Sequence, residues 1–163
     1  AAADGTPSAR VLMLRGVDSA DCAVVFAGDA RSGKGRDLAA NPVAAVTCYW
    51  PAQGRQIRLA GPVEVLDAEA TRRDFLGRPP ASRAAALTGC TSAPLSGWEE
   101  YERGWRAAEA LVAAEPDRVP ETHAVYRLRA REAEFFQAVL GRAHRRLRYT
   151  RQDGGWTRTL LWP

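Results

Sequence analysis

Apolar and polar positions alternate along much of the chain with a period of two, the spacing of half-buried strands. Residues 9–15 (ARVLMLR) and 22–27 (CAVVFA) read as two strands joined by a turn through GVDSAD. Residues 43–50 (VAAVTCYW) form a third, closed by Pro51. Residues 55–66 alternate through Ile57, Leu59, Val63 and Val65, and Gly61-Pro62 predicts a bulge or bend within them. Three more strands are expected at 123–129, 132–140 and 144–151. A last one, at 156–162, follows the Gly154-Gly155 turn.

Between the strands the period changes. A short helix is expected over 34–40, stopped by Asn41-Pro42. Another runs from Asp67 to Leu76 ahead of Pro79-Pro80, and a helical stretch covers Ser82 to Leu87. The longest predicted helix runs from Trp98 to Ala114, with Ser96 as its cap and Glu99 and Glu100 in its first turn. About eight strands, mostly sequential, with three or four helices and no βαβ alternation, exclude a doubly wound sheet. They predict a mainly β fold with flanking helices, an antiparallel closed or partly closed barrel. At 163 residues the chain has the length of one domain with one core.

Composition narrows the function classes. Hydrophobic residues at 46% and charged residues at 26% exclude disorder over the whole chain. No apolar run reaches the roughly 20 residues of a membrane span, and no secretory signal is visible. A cytoplasmic location is expected, with a trimmed or partly unseen N-terminus because the chain lacks a starting Met. Lys34 is the sole lysine among 23 Lys and Arg residues, and Ile57 is the sole Ile. This reads as the codon bias of a GC-rich genome, such as an actinobacterial one. It makes each Arg less informative and Lys34 more so. Cys22, Cys48 and Cys90 form no C-x-x-C pair and read as free thiols. His123 and His144 lie in no metal-ligand pattern, so no metal site is expected. There is no G-x-S-x-G elbow. The basic run RAHRRLRYTR falls within a predicted strand and is not read as a nucleic-acid patch.

Two segments carry candidate chemistry. GDARSGKG (28–35) matches G-x-x-x-x-G-K, but Gly35 stands where a nucleotide-binding loop needs a Ser or Thr hydroxyl for magnesium. What remains is a loop with free backbone N–H groups and a Lys at a helix start. It is either a phosphate cradle without metal or a solvated connection. Arg142, His144, Arg146 and Arg148 alternate and would share one strand face, as a ligand-facing wall or a solvated surface.

The order of these strings resembles the pyridoxine/pyridoxamine 5′-phosphate oxidase family almost end to end. The matching strings are PSARVLMLR (7–15), VVFAGDARSGKGRDLAANP (24–42), YWP (49–51), RQIRLAGPVEVL (55–66), RPPAS (78–82), EFFQ (134–137), RAHRR (142–146) and the terminal Leu-Trp-Pro. The resemblance implies an FMN-binding split β-barrel, antiparallel and Greek-key-like, comprising residues 1–163 as one domain. It also implies a homodimer with FMN at the interface. Arg10, Lys34 and Ser92 fall on positions that meet the FMN phosphate, Gln56 on the glutamine at the flavin ring, and Arg146 on an arginine near the flavin. Ala27, Gly28, Gly33, Thr91 and Phe136 also fall on cofactor positions. There they depart from the family's usual aromatic and Thr, Arg, Gln and Trp residues. The positions that hold the substrate phosphate are Arg15, Asp74, Arg78 and Ser82, with Arg15 counted on the cofactor side as well. Asp74 puts an anion where a phosphate is expected. Arg142 and His144 match an Arg-x-His pair that faces the substrate ring, and are the expected catalytic residues.

The resemblance implies an FMN-dependent oxidase that removes two hydrogens from a small cyclic or amine-bearing substrate. Hydride passes to the flavin and then to dioxygen, giving hydrogen peroxide. The altered phosphate site points to natural-product metabolism, with the phenazine-pathway oxidases as analogues. The alternatives are a genuine pyridoxine/pyridoxamine 5′-phosphate oxidase, or a flavin or haem carrier without turnover. The expected partners are a second copy of the chain, the substrate and dioxygen, with neither nucleic acid nor membrane.

Overall fold

The computed structural model describes residues 1–89 and 91–163, and all of their side chains except that of Arg142. Cys90 lies outside the described residues, while Cys22 and Cys48 are free thiols. The strands are β1 (Gly16–Asp18), β2 (Ala23–Asp29), β3 (Val43–Trp50), β4 (Arg55–Val65), β5 (His123–Arg129), β6 (Glu132–Gln137), β7 (Arg145–Gln152) and β8 (Gly155–Leu161). The helices are α1 (Gly33–Ala40), α2 (Ala68–Leu76), α3 (Pro80–Leu87) and α4 (Trp98–Ala114). Hydrogen-bonded neighbours run β1-β2-β5-β4-β6-β7-β8, with β3 on β4. Among the described residues no helix is long and apolar enough to cross a membrane.

The chain divides into two compact units. The first comprises residues 1–15, 25–41 and 65–126 and holds all four helices. The Asp67 carboxylate caps α2 by accepting from the Ala70 N–H at 2.8 Å. Ser32 caps α1 in the same way through Gly35. Helices α3 and α4 meet over Ala84, Ala108 and Val112, with Leu87 and Trp105 against them. Small residues at that seam let the helices approach closely. Ser96 does not cap α4 as expected. Gly97 takes the cap position, and Ser96 instead donates its N–H and hydroxyl to Glu100 at 2.9 and 2.6 Å.

The second unit comprises residues 16–24, 42–64 and 127–163. Here β3, β4, β6, β7 and β8 pair in antiparallel succession. Ala23, Val24, Leu59, Val63, Leu128, Ala130 and Ala133 form its buried apolar set. No bulge interrupts β4 against β3, since Ala44 faces Gly61 and Val43 faces Pro62 in unbroken register. Gly61 is needed for another reason. A Cβ there would lie 2.1 Å from the Arg129 carbonyl oxygen, just where the pairing of β4 with β6 ends.

Two further sequence expectations are corrected. Residues 9–15 form no strand. The first strand is Gly16–Asp18, and Arg15 alone in that run joins the ladder, its N–H donating to the Val25 carbonyl at 2.8 Å. Val11 and Met13 are 99% and 78% exposed, so their apolar spacing does not mark burial within the chain. The strand expected from 144 starts at Arg145, and Arg142 lies in a 3-10 turn over Leu140–Arg142. Arg142 and His144 therefore do not share a strand face with Arg146 and Arg148, because the chain is still irregular through Ala143, at φ −79° and ψ 58°, and is extended only from Arg145.

Candidate functional site

The first unit places a second cation, Arg10, near one buried amine. Strand β2 ends in Asp29, Ser32 opens α1, and Lys34 follows on the helix's first turn. Ser32 donates its hydroxyl to the Asp29 carbonyl at 2.6 Å and accepts from the Gly35 N–H, so the loop is tightly folded. Lys34 is 8% exposed, and among the described residues its Nζ has no hydrogen-bond partner. It lies 5.2 Å from the centre of the Tyr126 ring. Burial pushes its pKa down, and the nearby Arg10 guanidinium pushes the same way against the pull of Asp29. Gly28 keeps the space open, since a Cβ there would fall 2.2 Å from Nζ. Arg10 is anchored by Ser8 at 2.8 Å and by Asp37 at 4.0 Å.

A buried ammonium beside a second cation is unfavourable unless an anion completes it. The arrangement is therefore suited to a phosphate. Gly33 has nothing within 4 Å of where a Cβ would stand. Ala27 lies on β2 beside Phe26, which stacks on Tyr126 at 5.4 Å. Thr91 contributes a hydrogen bond to Asp29, and Ser92 is an exposed residue held at φ 68°. Among the described residues, neither forms a hydrogen bond with Lys34 Nζ.

A second cluster lies in the same unit. Asp74, in the last turn of α2, accepts from Arg15 Nε at 2.7 Å and from His123 Nε2 at 2.9 Å. The His123 side chain is 2% exposed and meets the Phe75 ring edge-on at 5.1 Å. Burial lowers the His123 pKa despite its bond to Asp74. Burial would raise the Asp74 pKa, but the bonds from Arg15 and His123 outweigh it and hold the carboxyl below its ordinary value. The pair is thus a carboxylate and a neutral imidazole that donates Nε2–H. Arg78 lies 5.8 Å from the Phe75 ring, and Ser82 sits in the first turn of α3. Sequence reasoning gave His123 no role. Its one local signal was its place at the head of a strand with an apolar face.

The sign of the His123 shift sets a pH dependence. Below about 6.5, the ordinary imidazole value, the unfolded chain binds a proton that the folded chain refuses. Stability is expected to fall as pH drops through that range, and further once Asp74 protonates. Thermal melts from pH 8 to 5 check this. His123→Gln should flatten the slope between pH 7 and 5, and an unchanged slope would remove His123 as its cause.

The second unit holds the remaining candidates. Gln56 on β4 faces Phe136 on β6, and Phe136 in turn faces Arg146 on β7. The Phe136 and His144 rings lie 5.3 Å apart. His144 Nδ1 accepts from the Val139 N–H at 3.3 Å, which leaves the proton of the neutral ring on Nε2. Arg146 is held by Glu134, its Nε 2.9 Å from Oε1 and its Nη2 3.2 Å from Oε2, and by the Trp162 carbonyl at 3.0 Å. Arg58 donates to the same carboxylate at 2.8 Å. The side chain of Arg142 lies outside the described residues.

The sequence profile described as pyridoxamine 5′-phosphate oxidase matches residues 1–136. The chain belongs to that family. A second profile, the pyridoxine 5′-phosphate oxidase C-terminal dimerisation region, matches residues 123–163. The family makes the protein an oxidoreductase. A pyridoxine/pyridoxamine 5′-phosphate oxidase of Pseudomonas paraeruginosa is 38% identical over 161 residues, covering 99% of this chain and 74% of that one. One from Deinococcus deserti is 38% identical over 162 residues, covering 98% and 75%. Among solved structures, PhzG from Burkholderia lata, in complex with tetrahydrophenazine-1-carboxylic acid, superposes with a TM-score of 0.92 at 32% identity. It covers 100% of this chain and 79% of PhzG. A pyridoxamine 5′-phosphate oxidase-related, FMN-binding protein from Nostoc punctiforme shares the fold, with a TM-score of 0.79 at 20% identity and coverage of 98% and 82%. The mainly β split-barrel fold with flanking helices is thus that of the family.

Proposed function

We propose that this chain is an FMN-dependent oxidase of small cyclic substrates in specialised metabolism, acting as a homodimer. The observation that carries the cofactor is Lys34, a buried ammonium without a hydrogen-bond partner among the described residues, with Arg10 near it. Both suit a phosphate monoester through charge-assisted bonds. The dimerisation-region match over residues 123–163 supports the second copy. The likeness to PhzG, solved with a tetrahydrophenazine carboxylic acid, supports a cyclic substrate.

FMN, when bound, accepts a hydride and hands two electrons to dioxygen, so that a substrate losing two hydrogens yields hydrogen peroxide. The side chains bind and orient. Lys34 and Arg10 hold the phosphate end, with Ser92 and Thr91 on the neighbouring loop. Gln56 offers its amide to the flavin ring beside Phe136. Arg15, Arg78 and Ser82 receive the substrate, and His144 presents Nε2–H to it. Arg146, fixed by Glu134, supplies a rigid positive edge near the ring.

The names of the relatives favour a second reading, pyridoxine/pyridoxamine 5′-phosphate oxidase itself. Flavin fluorescence titration and oxygen uptake separate the readings. One FMN per chain is expected, with peroxide formed from a dihydro-aromatic carboxylic acid faster than from pyridoxamine 5′-phosphate. The reverse order would establish the second reading. FMN binding without oxygen uptake on either compound would leave a carrier.

A further inference from the structure

The charge balance of the Asp74 cluster bears on which anion can bind beside it. Four groups face one another there, namely Arg15, Asp74, Arg78 and His123. Arg15 Nε is taken by Asp74 at 2.7 Å, and His123 Nε2 by the other carboxylate oxygen at 2.9 Å. The imidazole is buried and neutral, so it contributes no charge. Arg15 and Asp74 cancel. That leaves the single charge of Arg78, close enough to feel both Arg15 and Asp74, and stacked near Phe75. A phosphate monoester brings between one and two negative charges at neutral pH. It would also meet the Asp74 carboxylate at close range. A carboxylate brings one charge, and its planar pair of oxygens matches the guanidinium fork.

We propose that Asp74 is a specificity-determining residue that closes this pocket to phosphate monoesters and leaves Arg78 to grip a carboxylate-bearing substrate. This rests on the reading of the chain as an oxidase whose substrate meets Arg15, Arg78 and Ser82. It names the chemical class of that substrate. Asp74 acts here by occupying Arg15 and repelling excess negative charge. It does not touch the atoms that react.

The test uses benzoate and phenyl phosphate, which share a ring and differ in the anion. Binding of each to the protein, incubated with excess FMN, is measured by calorimetry. The unmodified protein is expected to bind benzoate about tenfold more tightly than phenyl phosphate. Asp74→Asn removes the negative charge at nearly constant shape, and phenyl phosphate should gain about tenfold or more. Arg78→Ala should abolish the preference for benzoate. Tighter binding of phenyl phosphate to the unmodified protein would overturn the proposal, and so would an unchanged ratio in Asp74→Asn. The comparison on the unmodified protein needs no variant, so it decides even if Asp74→Asn fails to fold. Flavin binding is followed separately by fluorescence. A protein that takes no FMN yet prefers benzoate keeps the anion assignment and loses the oxidase reading. One that takes FMN and prefers phenyl phosphate does the opposite.

Discussion

Lys34→Met is expected to raise the melting temperature of the flavin-free protein while weakening FMN binding by about 10–100-fold. Both effects come from one atom. Lys34 Nζ is buried without a hydrogen-bond partner among the described residues, and the charge of Arg10 makes its position worse. Keeping such a group in the flavin-free state costs about 1–3 kcal/mol. A thioether of similar length removes that cost and stays in contact with the Tyr126 ring. A gain of about 1 kcal/mol corresponds to about 2–4 °C for a chain of this size. The loss in affinity reflects one hydrogen bond between charged groups, worth about 1.5–3 kcal/mol. Thermal melts without flavin and fluorescence titration with FMN read the two effects independently. A melting temperature that falls would show that Lys34 serves the fold. An FMN affinity unchanged within about threefold would show that the phosphate lies elsewhere.

Gly35→Ser carries the second large effect. On paper it completes the nucleotide-loop string, turning SGKG into SGKS. In the fold it should break the loop. A Cβ on residue 35 would sit 2.1 Å from the Ala30 carbonyl oxygen and 2.7 Å from its Cα, and neither atom belongs to a flexible side chain. The Gly35 N–H also bonds to Ser32, so the helix start cannot move away without losing its cap. Overpacking of this kind costs about 3 kcal/mol at the upper end, or about 6–12 °C in melting temperature. FMN affinity should fall as well, because Lys34 is the adjacent residue. A variant that melts within about 2 °C of the parent would show that the loop can rearrange. The absence of a hydroxyl at residue 35 is thus a steric requirement, and the resemblance to a metal-dependent phosphate loop is one of letters.

The elements with strong local signals were legible in the sequence. The alternation through Ile57, Leu59, Val63 and Val65 marked β4 almost to the residue, and Asp67 marked the start of α2. The failures have physical causes. The run 9–15 alternates as a strand does, but apolar spacing reports contact with some surface and does not say that the surface belongs to a hydrogen-bonded neighbour in the same chain. The row from Arg142 to Arg148 is broken at Ala143, whose ψ of 58° departs from the extended range before β7 begins at Arg145. At α4, Ser96 and Gly97 compete for the cap, and the Ser96 hydroxyl finds Glu100 instead.

At the site, the placement of Lys34 at a helix start behind a glycine-bearing loop could be read because those residues are neighbours in sequence. The Asp74 cluster could not. Asp74 looked like an obstacle to an anion, and its partners Arg15 and His123 stand 59 and 49 residues away. No local pattern records such a pairing. His123, which matched no metal-ligand spacing, holds the carboxylate's second oxygen for the same reason.

Glu134 has a consequence for how the second unit assembles. Its carboxylate, 4% exposed, reaches Arg58 on β4 and Arg146 on β7 from the strand between them. Alternate residues of a strand point to opposite faces. A slip of β6 by one position would swing the carboxylate through the sheet and strand both guanidinium groups. A slip by two would carry it about 6.6 Å along the strand, beyond reach of at least one of them. The charge triplet therefore proofreads the alignment of three strands at once, above all against the two-residue slips that would keep Ala133 and Phe135 on their own face.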